Sequence, residues 1–179
     1  MILSLDVSTS CIGLAIFDDN EKLMSLNFIK LKGDSLFQKY DEFVSFMEEN
    51  QFHKFLIKEV VVEEPLKAFK GKFTNAETIQ KLSQMNSMIS LWCYKNYETE
   101  PVYYNVQTAR KQAFPDLKLP QKEANKKYKV WEKVVEKEPQ INWTYSKRTA
   151  QLAKENFDMA DAYTVGLCHI NMLKKAKKD

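Results

Sequence analysis

The opening run of the chain constrains it most. Ile2-Leu3-Ser4-Leu5-Asp6-Val7 reads as a strand buried on both faces, and it delivers the carboxylate of Asp6 at its carboxyl end, just before the small polar residues Ser8-Thr9-Ser10. Cys11 to Phe17 resumes an apolar run, Asp18-Asp19-Asn20 closes it with turn residues, and Leu23 to Leu31 supplies a third strand. Residues 1 to 32 are therefore predicted to form a three-stranded antiparallel meander with an acid at the end of its first strand. A lone aspartate in that position ordinarily just caps a strand. Two later acidic clusters, each attached to a strongly apolar element, give it another meaning.

The first of these ends a β-branched triplet. Val60-Val61-Val62 marks a central strand that terminates in Glu63-Glu64-Pro65, where the proline stops the ladder. The second opens the last element. Asp158 and Asp161, three residues apart in Phe157-Asp158-Met159-Ala160-Asp161-Ala162, share one face of the first turn of a helix. The small residues Ala160, Ala162 and Gly166 let that helix approach the sheet closely. Asp6, Glu63, Asp158 and Asp161 thus become a candidate quartet of catalytic and metal-ligating carboxylates. So many like charges are unfavourable together unless a cation neutralises them, and hard oxygen ligands suit magnesium or manganese. Two such ions about 3.5–4 Å apart can clamp the attacking and departing oxygens of a phosphodiester. His53 and His169 show no obvious partner in the sequence, which weakens a serine or cysteine nucleophile.

Between these clusters lie four helices, the last of them lysine-rich, and a further strand. Gly33-Asp34-Ser35 offers a cap to a helix whose apolar stripe is Leu36, Phe37, Tyr40, Phe43, Val44 and Met47. Thr74 or Asn75 can cap a long helix reaching about Lys95, whose later turns are apolar nearly all round and require cover on more than one side. Pro101 to Val106 is the fifth strand, and Gln107 to Phe114 a short helix bearing Arg110 and Lys111.

Charge is unevenly distributed over the 179 residues, whose formal net charge is only +3. Lys67, Lys70 and Lys72 interleave with Phe69 and Phe73, a composition that serves phosphates and exposed bases together. From Lys118 to Lys137 seven lysines, Lys122 and Lys126 among them, stand against three glutamates, with Val130, Trp131, Val134 and Val135 as the inner face of a helix. Lys147 and Arg148 follow, and a basic tail is expected over residues 174–179. The candidate DNA contacts are Lys67, Phe69, Lys70, Lys72, Arg110, Lys111, Lys122, Lys126 and Arg148. The three cysteines, Cys11, Cys93 and Cys168, lack metal-type spacing and sit in apolar runs, which predicts buried, reduced thiols. No stretch reaches transmembrane length and the first residues lack the features of a signal peptide, so an intracellular, cytoplasmic protein is expected.

Taken in order, these pieces resemble the RuvC-like Holliday junction resolvases of the RNase H-like superfamily. The resemblance rests on Asp6 with Gly13 seven residues later, on Val61-Val62-Glu63, and on the helix from Asn75 to Lys95, which matches the family's dimer-forming helix. It continues through Pro101 to Ala113, Gln121-Lys122-Glu123 and Asp158-Met159-Ala160-Asp161-Ala162. It implies an α/β fold with a five-stranded mixed sheet, order 3-2-1-4-5, flanked by helices, in a single domain over residues 1–173. It also implies a homodimeric, magnesium-dependent endonuclease that cuts four-way junctions, with Asp6, Glu63, Asp158 and Asp161 as ligands, Lys122 contacting the scissile phosphate and Glu64 in an outer position. Val7-Ser8-Thr9 after the first acid is more like viral or phage members than bacterial ones, and the aromatic wedge position holds Leu66, with Phe69 the nearest ring. Two other functions fit parts of the pattern: a non-catalytic DNA-binding or scaffold module of the same fold, and a phosphotransferase of the actin-like superfamily. The last needs Gly-rich phosphate loops that four glycines hardly supply.

Overall fold

Alternation along the first strand, β1 (Ile2–Val7), decides how the layers stack. In the computed structural model, which describes residues 1–52, 55–65, 76–146 and 149–177, Leu3, Leu5 and Val7 enter one apolar core. Ile2, Ser4 and Asp6 turn to the opposite face. Strand β1 pairs antiparallel with β2 (Cys11–Phe17), and β2 with β3 (Leu23–Lys30), which completes the expected meander. The β2–β3 turn is held by Asp18, whose Oδ1 accepts from the amides of Asn20 and Lys22 at 2.8 Å each. On its other side β1 pairs parallel with β4 (Glu59–Glu63), and β4 with β5 (Val102–Tyr104). The sheet is five-stranded and mixed, in the order β3-β2-β1-β4-β5.

Helices cover both faces. On one side α1 (Leu36–Glu49) and α2 (Ala76–Tyr97) bury Phe43, Met47, Met85, Ile89 and Trp92 against Leu3, Leu5, Val60 and Val62. Helix α1 starts in a full capping box, Ser35 with Gln38. On the other side α3 (Val106–Ala113), α4 (Glu123–Lys137) and α5 (Glu155–Ala176) enclose Ala15, Phe17, Val61, Val130, Val134, Met159, Ala162 and Val165. Helix α5 is buried nearly all round from Asn156 to Ile170, because it lies across the sheet and beneath α3 and α4. Its closeness to the sheet is marked by the Ser4 hydroxyl, which donates 2.6 Å to the carbonyl of Ala162.

Several elements differ from their sequence reading. Strand β5 is three residues long, because Asn105 leaves the ladder to cap α3, its side chain accepting from the Gln107 amide at 3.0 Å. The basic tail begins inside α5, which continues to Ala176, and cations in its last turn suit the negative end of the helix. There Lys174 pairs with Glu21, and Lys175 donates to Gln112 Oε1 at 2.5 Å. His169 is buried and has two partners, the Tyr104 hydroxyl at 2.8 Å from Nδ1 and Glu59 at 2.5 Å from Nε2. His53 lies outside the described residues. Cys11, Cys93 and Cys168 are free thiols and buried. Helix α2 keeps Leu91 and Tyr94 half exposed in the chain alone, alongside Val102 and Tyr103 of the edge strand β5. Among the described residues no helix is long and apolar enough to cross a membrane.

Candidate active site

Parallel pairing places two strand ends side by side. The register of β1 with β4 sets Leu5 opposite Val62, so Asp6 and Glu63 follow at neighbouring carboxyl ends. Both side chains emerge on the face covered by α5. The turn after Asp6 is fixed by Ser8, whose hydroxyl donates to the Cys11 carbonyl at 2.7 Å and accepts from the Cys11 amide at 3.0 Å. Glu63 is held through its backbone: buried Asn86 of α2 donates to its carbonyl at 3.3 Å, and the next amide donates to the Tyr104 carbonyl at 2.9 Å.

The start of α5 completes the site. Asn156, fully buried, grips the chain at Thr144 twice, its Oδ1 accepting at 3.1 Å and its Nδ2 donating at 2.6 Å, which anchors the first turn. Gly13, the partner of Asp6 across the β1–β2 ladder, has no side chain to hold the helix off. One carboxylate oxygen each from Asp6, Glu63 and Asp161 then lie within 4.8 Å of one another. Asp158 flanks this trio, close enough to the Cys11 thiol for each to shift the other's titration. The carboxylate that joins Asp6 and Asp161 is that of Glu63 rather than of Glu64.

Two cations reach the acids from the covering helices. Arg110 of α3 is buried, and its guanidinium lies 3.2 Å from Asp161 Oδ1. Lys127 of α4 approaches from the solvent side, 3.3 Å from Asp161 Oδ2 and 3.9 Å from Asp158 Oδ1. Helix α4 is positioned for this by Val130 and Val134, both fully buried, and by the Tyr163 hydroxyl of α5, which donates 2.9 Å to Glu138 just past its end.

Even so, negative charge dominates. Burial, then the charges of Glu63 and Asp161, hold the Asp6 carboxyl well above the ordinary carboxylate range. Burial and Asp161 push Glu63 up to about 8, against the pull of Lys127 and Arg110. Asp158 is raised as well, by burial first, with Lys127 opposing. Burial disfavours the Lys127 ammonium, yet Asp161, Asp6 and Asp158 more than offset that and keep it protonated above its usual range. The Cys11 thiol is held up by burial and by Asp158, so it stays neutral.

This set fits a divalent cation. The donors are hard carboxylate oxygens converging from three elements, and Glu63 Oε2 is buried with no hydrogen-bond partner among the described residues, an arrangement that costs free energy unless something positive meets it.

The expected DNA contacts are placed unevenly. Lys111 and Lys122 are exposed, and Lys126 is half-buried on α4. Arg110 does not lie on the surface, because its guanidinium turns inward to Asp161. Lys67, Phe69, Lys70, Lys72 and Arg148 lie outside the described residues, as does Leu66. The lysine that enters the acid cluster is Lys127, which the sequence reading passes over. Its one signal was the helical period, since Lys127, Val130 and Val134 share a face.

No family model and no curated protein matches the chain. Solved structures do. Thermus thermophilus RuvC in complex with a Holliday junction substrate superposes with a TM-score of 0.63 at 14% identity, over 97% of this chain and 94% of that one. The yeast mitochondrial Holliday junction resolvase Ydc2 gives 0.61 at 14% identity, over 99% and 80%. Fowlpox virus resolvase, solved with its Holliday junction DNA, gives 0.54 at 12% identity, over 96% and 99%. At these identities the likeness is one of fold, and the chain has the RNase H-like fold found in the RuvC-type Holliday junction resolvases.

Proposed function

We propose that this protein is a divalent-metal-dependent endonuclease that cuts branched DNA, with four-way junctions as its preferred substrate. The observation that carries the reading is the convergence of Asp6, Glu63 and Asp161 within 4.8 Å, at the carboxyl ends of two parallel strands and the first turns of the helix laid across them. Magnesium is the cation these oxygens suit, with manganese able to replace it, and Asp6, Glu63 and Asp161 would hold it. When bound, such an ion supplies positive charge to the scissile phosphate and acidity to the attacking water. The chain's own residues do the rest. Arg110 fixes the Asp161 carboxylate from behind, Asn86 holds the end of β4, and Lys127, partly exposed, presents an ammonium on the solvent side where a phosphate arrives. Lys111, Lys122 and Lys126, with Lys67, Phe69, Lys70, Lys72 and Arg148, would contact the DNA arms.

The active form would be a homodimer, which cuts two symmetric strands of a junction. Leu91 and Tyr94 of α2, with Val102 and Tyr103 of β5, are the exposed apolar residues that support it. A cleavage panel tests the reading: four-way junction, fork, flap and linear duplex, each with magnesium, with manganese and with chelator. Metal-dependent cutting of the junction in preference to linear duplex is expected. Tight junction binding with no cleavage under any metal would instead assign the chain to a DNA-binding module of the same fold.

A further inference from the structure

We propose that Lys127 holds the place a second metal ion would take, so that each chain binds one divalent cation rather than the two expected from its carboxylate count. The proposal rests on the nuclease reading above and deepens it. Its basis is the distribution of charge. Asp161 is engaged on both oxygens, by Arg110 at 3.2 Å on Oδ1 and by Lys127 at 3.3 Å on Oδ2. The same ammonium stands 3.9 Å from Asp158 Oδ1, so it occupies the space between the two carboxylates that a second ion would need to share. Asp158 is correspondingly outside the trio whose oxygens converge.

The formal charges agree. With all four carboxylates ionised, as metal ligation requires, Asp6, Glu63, Asp158 and Asp161 face two cations, Arg110 and Lys127. Two negative charges remain, which one divalent ion cancels. A second ion would leave the pocket with a net positive charge in a poorly solvated place, a costly state unless Lys127 withdrew. Val130 and Val134 on the same helix face are fully buried and fix the helix that carries Lys127, so its ammonium reaches the acids without any shift of the backbone. An ammonium on a four-carbon stem reproduces the position of a cation without its coordination demands, and it is supplied by the fold at any metal concentration.

Manganese titration of the full chain, without DNA, tests this by calorimetry and by electron paramagnetic resonance. The wild type is expected to take up one Mn2+ per chain with the signal of an isolated ion. Lys127→Met is expected to take up two, with the exchange-coupled signal of a pair, and Lys127→Arg to keep one. Two ions in the wild type would overturn the proposal while leaving the nuclease reading intact, whether or not Lys127→Met folds. One ion in a folded Lys127→Met would also overturn it. No uptake by the wild type would overturn both, and so separates the two failures.

Discussion

The backbone of Asp158 lies directly against Gly13: a Cβ built on Gly13 would stand 1.9 Å from the Asp158 carbonyl oxygen and 2.9 Å from the Met159 amide nitrogen. Those atoms belong to a helix that cannot move without dragging Asp161 from Asp6. Gly13→Ala is therefore expected to destabilise by about 1–3 kcal/mol or more, as overpacking against backbone does, and to weaken Mn2+ uptake in whatever fraction folds. Gly166→Ala serves as the comparison, since its Cβ would meet the Phe17 ring at 2.3 Å, among side chains rather than helix backbone. A thermal melt paired with metal titration checks both. Unchanged metal affinity in Gly13→Ala would show that the helix does not need that approach.

Asp6→Asn and Asp161→Asn should each lower cleavage by at least ~10²–10³-fold, the scale for removing one preorganised charge from a reacting centre. Junction binding should persist, because the DNA contacts proposed here lie elsewhere. Asp6→Asn should also raise the melting temperature of the metal-free protein, since its carboxyl is held up by burial and by its acidic neighbours. Full cleavage by either variant would remove the metal-site reading.

Stability without metal should fall as pH rises. Glu63 titrates near its ordinary 4.5 when the chain is unfolded and at about 8 when folded. Below pH 4.5 both states carry the proton. Between 4.5 and 8 the unfolded chain releases it while the folded one retains it, so the unfolded state binds fewer protons and stability declines across that window. Melting curves in chelator from pH 5 to 8 should show the decline, and Glu63→Gln should flatten it. Added magnesium should stabilise most at the upper end, where the ionised form is the ligand. A flat profile in wild type and variant alike would contradict the burial of this carboxyl.

Leu91→Glu combined with Tyr94→Lys should turn a dimer into a monomer with its fold intact, because both side chains are about half exposed in the single chain and neither belongs to its core. Analytical ultracentrifugation at micromolar concentration provides the measurement. A wild type that is already monomeric there, yet nicks junctions symmetrically, would place the dimer contact on another surface.

Much of the fold could be read from local pattern. The apolar runs ending in Asp6 and Glu63, the turn at Asp18-Asp19-Asn20, the capping Ser35 and the paired acids of Asp158 and Asp161 are each specified within a few residues, because strand and helix periods act at short range. The expected sheet order followed from the resemblance of those pieces in sequence to the RuvC-like family and agrees with the structure. Partners brought together by helix packing escaped that reading. His169 looked solitary until α5 set it between Tyr104 and Glu59, 65 and 110 residues away.

Composition and period, then, determined that this chain carries three clusters of acid on apolar elements, with cations concentrated on one later helix. Tertiary structure alone decided which charges meet. Arg110 turns inward to Asp161, Lys127 rather than Lys122 or Lys126 enters the cluster, and Asp158 stays beside the trio instead of within it. The reason is that a charge pair across 34 or 51 residues depends on how α3 and α4 seat on α5. That seating is set by the volumes of Val130, Val134, Ala109 and Ala113 in the shared core, to which no pattern of charge along the sequence gives access.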